Sequence, residues 1–185
     1  MENIVLKTML ERSSIRAYTD EKLTDEELCA LEQAALSAPT AMNRREQRFI
    51  FVTDDGMLER LENAIMKSII DSGNTDFAER IKSRGGKTTY NARLIVIIVN
   101  KPAHFSRVDA GIAVENLALA AKSLGLDSVI LGMPEGAFAG EYGEALRREF
   151  RFPEGYEFSI AIGIGHKATE KEPHERDLDH IIHID

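Results

Sequence analysis

The densest cluster of chemically useful side chains in this sequence lies near its amino end. Arg12-Ser13-Ser14-Ile15-Arg16 places two guanidinium groups and two hydroxyl groups within five residues. Guanidinium groups form paired, charge-assisted hydrogen bonds with phosphate oxygens, and hydroxyls can satisfy the oxygens that remain. Such runs are also common on solvated surfaces, so a phosphate site predicted from this segment needs support from elsewhere in the chain.

Two further segments carry groups that can recognise a ligand. Pro39, Thr40 and Asn43 lie between a predicted helix and a predicted strand. Pro39 restricts the turn, and Asn43 offers both a donor and an acceptor to the edge of a heterocycle. Late in the chain, Arg176 follows the last predicted strand, and His174 stands two residues before it.

Other motifs have simpler structural explanations. Gly86-Lys87-Thr88 looks like the end of a phosphate-binding P-loop, but Ile81 stands where that motif requires glycine. The histidines near the carboxyl end have no second cluster of ligands to complete a metal site. Cys29 is the single cysteine, and its place in a helical pattern predicts a small buried residue. We therefore predict no metal centre and no cysteine nucleophile.

Charge and composition limit the class of protein. Lys and Arg number 23 against 31 Asp and Glu, which gives a formal net charge of −8. This balance disfavours nucleic acid as a partner, because phosphate backbones demand a cationic face. The sequence has no run of about 18 apolar residues that could cross a membrane, and no signal-peptide pattern. We expect a single intracellular, cytoplasmic domain over residues 1–185.

Helical and strand patterns alternate irregularly around these segments. The sequence predicts helices at 3–11, 24–37, 57–70, 109–124 and 140–150, and strands at 49–52, 94–99, 128–131 and 156–165. The segment 109–124 is apolar almost all round, which predicts a helix buried in a core or an interface. Residues 71–90 are predicted to form a mobile polar excursion with room for one short helix, and residues 166–185 a charged tail. These patterns favour an α+β fold with helices around a mixed sheet.

In their order and spacing, these segments resemble the FMN-dependent nitroreductase family. The resemblance is carried by ERSSIRAY, SAPTAMNRREQRFIFVTD, DAGIAVENLALAAKSLGLDSVILG, a glycine-rich strand and a late arginine, and it extends from Glu11 to Ile182. It implies an α+β homodimer with a mainly antiparallel central sheet. It also implies that the long central helix forms the dimer core and that two FMN sites lie in the dimer interface.

The resemblance implies roles for individual residues. The loop that binds the phosphate and ribityl chain of FMN would be Arg12, Ser13, Ser14 and Arg16. The segment that reaches the flavin of the other subunit would be Pro39, Thr40 and Asn43. The residues beside the isoalloxazine ring would be Leu131 and Gly132, and the late basic pair would be His174 and Arg176.

The chain departs from the family pattern at several positions. Arg45, Glu46 and Gln47 stand where the family often has Gln, Pro and Trp. Arg93 stands in place of the usual Pro, and His174 in place of Lys. We expect these changes to affect the choice of substrate more than the binding of FMN.

The activity implied is that of an NAD(P)H-dependent oxidoreductase with a ping-pong mechanism. NADH or NADPH would reduce the flavin and leave, and a small electron-poor acceptor such as a nitroaromatic or a quinone would then be reduced. The flavin carries out the redox chemistry, so no side chain is predicted to act as a catalytic acid or base. The alternatives are a reductase of conjugated enones with the same fold, an FMN store or sensor without turnover, and a dimeric scaffold with an empty site.

Overall fold

The fold combines helices with one small sheet, and the computed structural model describes residues 3–83 and 85–184. The helices are α1 (Ile4–Glu11), α2 (Asp25–Leu36), α3 (Asp55–Asp71), α4 (Thr75–Ser83), α5 (Ser106–Ser123), α6 (Pro134–Phe138) and α7 (Gly140–Glu149). The strands are β1 (Arg48–Val52), β2 (Leu94–Asn100), β3 (Asp127–Leu131) and β4 (Glu157–Gly165). Met1, Glu2 and Asp185 of the predicted domain, and Arg84 of the predicted excursion, lie outside the described residues.

The four strands form a sheet in the order β1-β2-β4-β3, and each neighbouring pair is antiparallel. The prediction of an α+β fold is confirmed. The prediction of a mixed sheet is wrong for these strand pairs. The parallel contact found in the described part of the chain is an isolated bridge between Ser14 and Ser128, outside the named strands.

Strand β2 is the centre of the core, and all seven of its residues are buried. Because side chains alternate across a strand, Ile95, Ile97 and Val99 belong to one apolar cluster, while the residues between them belong to another. Helices α3 and α6 contribute to the first cluster, and α2 and α5 to the second. Coverage on both faces explains the unbroken apolar run from Leu94 to Val99.

Local signals place the starts of two helices. Thr24 and Glu27 form the predicted capping box, in which the Glu27 carboxylate accepts from the Thr24 backbone N–H at 2.7 Å. The predicted turn at residues 54–56 is wrong, because Asp54 caps α3 by accepting from the Met57 N–H at 2.9 Å. Cys29 is exposed, contrary to expectation, since it lies on roughly the opposite side of α2 from the buried Leu31.

The polar segment at residues 71–90 contains one short helix, α4, which the sequence analysis allowed for without giving its bounds. Ala78 and Ile81 on this helix are buried in the cluster formed around α3. The segment is therefore anchored by apolar contacts in its middle. Its mobility stays a prediction.

Helix α5 lies across the sheet, and its small residues mostly serve that packing. Ala110, Ala113, Ala118 and Ala121 are buried within the chain. The sequence predicts that this helix lies in a core or an interface, and these four alanines lie in the core of their own chain. The exposed apolar side chains of α5 are those of Val108 and Ile112.

Helix α1 has no buried residue, and it packs lightly beside α5. Its large apolar side chains are 45–69% exposed, and they are those of Ile4, Val5, Leu6, Met9 and Leu10. Among the described helices, none is long and apolar enough to span a membrane.

Arg93, one of the departures from the family pattern, forms an ion pair with Asp55 at the start of α3. Its side chain is 16% exposed. Lys22 also donates to Asp55, at 3.1 Å. The hydrogen bond from Lys22, with Arg93 beside it, holds the pKa of the Asp55 carboxyl below its usual value.

Asp55→Asn is expected to lower the melting temperature at neutral pH, because it leaves the largely buried Arg93 guanidinium without its anion. A carboxylate with a lowered pKa stabilises the fold above its unfolded-state pKa, and this stabilisation is lost as the pH falls through the folded-state pKa. The gap between wild type and variant should therefore be widest above about pH 5 and close below about pH 3. Thermal unfolding across this range measures it.

The matched control for this measurement is Asp71→Asn, which removes an exposed pair with Lys67 on the same helix. Exposed pairs of this kind contribute little, so its melting temperature should stay near that of the wild type. A gap for Asp55→Asn that is independent of pH would contradict the assignment.

Candidate functional site

Residues 12–16, which we call the basic loop, follow α1 and run along the outer edge of β3. Ser14 bridges to Ser128, and the Ile15 N–H donates to the Ser128 carbonyl oxygen at 3.0 Å. Tyr18 then bridges to Lys167, just after β4. Because β3 is the last strand of the sheet, its free edge holds the backbone of this loop in place.

Tyr18 secures the same loop from inside. Its hydroxyl donates to the Ile15 carbonyl oxygen at 2.9 Å. Burial, together with the nearby Asp127 carboxylate, raises the pKa of the Tyr18 phenol. The phenol therefore stays protonated and keeps its role as a donor.

Arg12 and Ser13 differ in what they leave available to a ligand. The Arg12 side chain is 21% exposed, and its Nε atom lies 3.9 Å from Oε1 of Glu115 on α5. That separation is longer than a hydrogen bond, so the guanidinium keeps donors for another anion. Ser13 is buried, and its hydroxyl donates to the Lys171 carbonyl oxygen at 3.0 Å. The Ser13 hydroxyl hydrogen is therefore already engaged within the chain.

The carboxyl-terminal tail carries the late basic residues to the same place. Nη2 of Arg176 donates at 3.0 Å to the carbonyl oxygen of Leu10, which is 166 positions away in the sequence. His174, two residues earlier, is exposed. The structure thus gathers Arg12, Ser13 and Arg176 around the end of α1.

Arg16, at the other end of the loop, is exposed and faces an aromatic ring that sequence reasoning missed. Its guanidinium carbon lies 6.0 Å from the centre of the Tyr90 ring, at the outer limit of a cation–π contact. Tyr90 belongs to the segment before β2, far from Arg16 in the sequence. Only information on contacts between distant positions could have identified it as a neighbour of Arg16. This contact links the basic loop to the end of the 71–90 excursion.

The turn around Asn43 has an unusual backbone. Met42, Asn43 and Arg45 have φ values of 54°, 53° and 51°, in the left-handed region that side-chain-bearing residues rarely adopt. The Arg45 N–H donates to Oγ1 of Thr40 at 3.0 Å, and Arg45 Nε donates to Oδ1 of Asn43 at 2.8 Å. Since Oδ1 already accepts this hydrogen bond, Asn43 keeps the two donors of its Nδ2 amide and one lone pair of Oδ1 for a ligand. Pro39, at the entry to the turn, is exposed.

This turn is anchored on α5 at a different point from the basic loop. The Ala41 N–H donates to Oδ1 of Asp109 at 2.9 Å, whereas Arg12 neighbours Glu115. Six positions separate Asp109 and Glu115 on the helix, which is a rise of about 9 Å. Within one chain, the Asn43 turn and the basic loop therefore have separate anchors.

Leu131 and Gly132 stand where β3 ends. The Leu131 side chain is buried in the core, so only its backbone can face a ligand. Gly132 is exposed, and a Cβ atom placed there would meet nothing within 4 Å. Its carbonyl oxygen accepts from the Glu135 N–H at 3.1 Å, in the first turn of α6.

A cleft lined by residues of α2 and β1 lies away from the basic loop. It encloses about 660 Å³, and side chains on its wall include those of Leu36, Arg45, Gln47, Phe49 and Phe51. Gln47 is buried, and its Oε1 atom has no hydrogen-bond partner in the structure. Sequence reasoning missed this cleft, although the alternation of Gln47, Phe49 and Phe51 is the pattern of one strand face.

Residues 9–166 match the model of the nitroreductase family. The chain belongs to the nitroreductase family. Among solved structures, this nitroreductase-family chain is similar to a nitroreductase with bound FMN from Desulfitobacterium hafniense DCB-2, with 34% identity, full coverage of both chains and a TM-score of 0.94. A nitroreductase with bound FMN from Bacteroides fragilis NCTC 9343 has 25% identity, full coverage of both chains and a TM-score of 0.90.

Curated proteins extend the comparison to sequence relatives. An Archaeoglobus fulgidus protein with the provisional name NADH dehydrogenase/NAD(P)H nitroreductase is 29% identical over 179 residues, which is 93% of the nitroreductase-family chain and 90% of that protein. An FMN reductase specified for NAD(P)H, from Bacillus subtilis, is 29% identical over 139 residues, or 72% of this chain and 56% of that protein. The family resemblance inferred from the motifs is therefore confirmed. The contacts of individual residues with a ligand stay predictions.

Proposed function

We propose that this nitroreductase-family protein binds FMN and acts as an NAD(P)H-dependent oxidoreductase on small electron-poor acceptors. The observation that carries the proposal is the gathering of Arg12 and Arg176 at the end of α1. The full-length likeness to FMN-bound relatives supports it. Nitroaromatics and quinones are the proposed acceptor class, and NADH or NADPH the proposed donor.

The donor set fits the phosphate of FMN. Guanidinium groups match phosphate oxygens in charge and geometry, and a local cationic cluster can outweigh the net charge of −8. Arg12 would hold the phosphate, with Arg176 beside it and Arg16 further along the loop. The open space at Gly132 leaves room for a planar ring to approach the backbone.

FMN, when bound, supplies the acceptance and donation of hydride in such an enzyme. The chain's own residues would bind and orient it: the arginines at its phosphate end, and the Nδ2 amide of Asn43 at its ring. We assign no side chain as a catalytic acid or base. A ping-pong order of donor and acceptor, with the 71–90 excursion shaping the acceptor pocket, completes the proposal.

We further propose that the active form is a homodimer with FMN sites in its interface. A helix with no buried residue and five exposed large apolar side chains, as α1 is, demands a partner surface. Val108 and Ile112 are further exposed apolar side chains, on α5, the helix that α1 packs beside. The separate anchors of the two binding segments also suit a site completed by a second chain. The cytoplasmic location stays a prediction.

The purified protein is expected to be yellow, with about one noncovalent FMN per chain. Flavin released by heat should be FMN rather than FAD, because the arginine cluster suits a terminal phosphate. Addition of NADH or NADPH without oxygen should bleach the bound flavin, and a nitroaromatic or a quinone should restore the colour. Absorbance spectroscopy and chromatography of the released flavin measure both results.

Three outcomes would redirect the proposal. A colourless protein that does not take up added FMN would exclude it and favour the scaffold with an empty site. Bound FMN that neither NADH nor NADPH bleaches would favour an FMN store or sensor. Turnover with conjugated enones but not with nitroaromatics or quinones would retain the flavoenzyme and replace its acceptor class.

A further inference from the structure

A buried carboxylate on α3, that of Glu62, has no role in the proposed function. Glu62 on α3 is 6% exposed. Its Oε1 atom accepts from the backbone N–H of Thr88 and, at 2.7 Å, from the Thr88 hydroxyl. Its Oε2 atom accepts from the N–H of Thr89 at 3.0 Å and from the Thr89 hydroxyl at 2.6 Å.

This arrangement fixes the chain at Thr88 and Thr89. A buried carboxylate is costly unless it is fully hydrogen-bonded, and hydrogen bonds to a charged group are stronger than those between neutral groups. Each carboxylate oxygen of Glu62 accepts one hydrogen bond from a backbone N–H and one from a hydroxyl. If Thr88 and Thr89 moved away, the buried Glu62 carboxylate would lose its hydrogen bonds. Glu62 therefore acts as a clamp that holds these two residues in place.

The two residues that follow the clamp carry backbone strain. Tyr90 has a φ of 58° and Asn91 a φ of 64°. Neither is glycine, and such conformations persist only where the surroundings hold them. The hydrogen bonds of Glu62 fix the chain before these residues, and strand β2 fixes it after them.

Both strained residues contact the basic loop and its continuation. The Tyr90 ring lies beneath the Arg16 guanidinium, and Nδ2 of Asn91 donates to Oδ1 of Asp20 at 3.0 Å. A continuous series of contacts therefore runs from Glu62 through the segment 88–91 to Arg16. Arg12 is outside this series, since its neighbour is Glu115.

We infer that Glu62 is a positioning residue for the flavin site, which acts on FMN affinity through Tyr90 and Arg16. This inference rests on the proposed function for its ligand. It assigns the end of the 71–90 excursion a defined task, which is to support one of the cations that face the cofactor.

Glu62→Gln tests the inference, and Glu59→Gln is the matched control, because Glu59 carries the same group on the same helix and is exposed. In the FMN-free protein, amide hydrogens of Thr88 and Thr89 should exchange at least about ten times faster in Glu62→Gln than in the control. FMN titration should show binding weakened by about tenfold in Glu62→Gln and unchanged in Glu59→Gln.

A double-mutant cycle separates positioning from a general loss of structure. Combining Glu62→Gln with Arg16→Ala should weaken FMN binding little more than Arg16→Ala does alone. Combining it with Arg12→Ala should multiply the two single effects. If Glu62→Gln does not fold, Thr89→Val removes one hydroxyl donor, keeps the carboxylate, and should show the same pattern with smaller changes.

Wild-type FMN affinity in a folded Glu62→Gln variant would overturn the inference. So would effects that multiply equally with Arg16→Ala and Arg12→Ala, since this is the result of a merely structural role. A wild-type protein that binds no FMN would overturn the proposed function together with this inference. The measurement on wild type therefore distinguishes the two failures.

Discussion

Arg12→Ala is expected to weaken FMN binding by at least about 30-fold. The Arg12 guanidinium is largely buried beside α5, and its distance from Glu115 leaves donors for a phosphate. Removal of one charge-assisted partner from a desolvated anion costs about 2–5 kcal/mol, and about 1.4 kcal/mol corresponds to each tenfold change in affinity. Titration of flavin-free protein, followed by the change in FMN fluorescence, measures the dissociation constant.

Arg148→Ala is the control for this variant. Arg148 lies on α7, is exposed, and pairs with Glu144, so its removal changes the net charge equally without touching the site. Its FMN affinity should equal that of wild type. Riboflavin, which lacks the phosphate, should bind Arg12→Ala and wild type with similar affinity. Unchanged FMN binding in Arg12→Ala would place the phosphate elsewhere in the protein.

The second large effect is expected on FMN binding by mixed dimers, in which the two chains carry different substitutions. Arg12→Ala and Asn43→Ala chains should each bind FMN weakly as homodimers. In a heterodimer, Arg12 from one chain and Asn43 from the other complete one intact site, while the second site carries both substitutions. About one FMN per heterodimer should therefore bind with wild-type affinity, against about two per wild-type dimer. Two affinity tags allow the heterodimer to be isolated after co-refolding.

The control for this experiment is a heterodimer of Arg12→Ala with wild type, which should also retain one intact site. A heterodimer in which both substitutions lie on the same chain is a second control, and it should have no intact site, since each site then lacks one of the two residues. Failure of the first mixture to recover FMN in verified heterodimers would show that Asn43 does not serve the partner's flavin. A dilute monomer that keeps its FMN would contradict the interface site itself.

Local signals predicted most of the secondary structure. The capping box at Thr24 and the apolar run of β2 each encode their element within a few residues, so the sequence alone located them. Helix α6 was missed, because it has only five residues. The bounds of α4 could not be given, because it has a polar composition and buries only Ala78 and Ile81. The apolar pattern of α5 predicted burial in a core or in an interface, because its alanines suit close packing of either kind. The position of the sheet relative to α5 decides whether these alanines pack within their own chain or against a second subunit.

The candidate site was predictable where one segment carried several suitable side chains. Arg12 and Arg16 belong to one five-residue run, and the motif order suggested Arg176. Tyr90 and Glu62 were not predictable, because their contacts join positions that only the folded chain brings together. Helical spacing from Ile65 and Ile69 places Glu62 on the buried face of α3, unlike Glu59, but its partner Thr88 is 26 positions away in the sequence. Such a buried polar contact can be recognised only once burial is known.

The position of the basic loop along β3 has an evolutionary consequence. An uncovered strand edge offers unpaired backbone groups to other chains and invites aggregation. The bridge between Ser14 and Ser128 lies on that edge, so the loop that carries the arginines also shields the sheet. Residues 12–16 are therefore under two constraints. They must bind the ligand, and they must keep the protein from associating through β3. A substitution that displaces Ser14 is therefore expected to increase association through β3, even where it improves ligand binding.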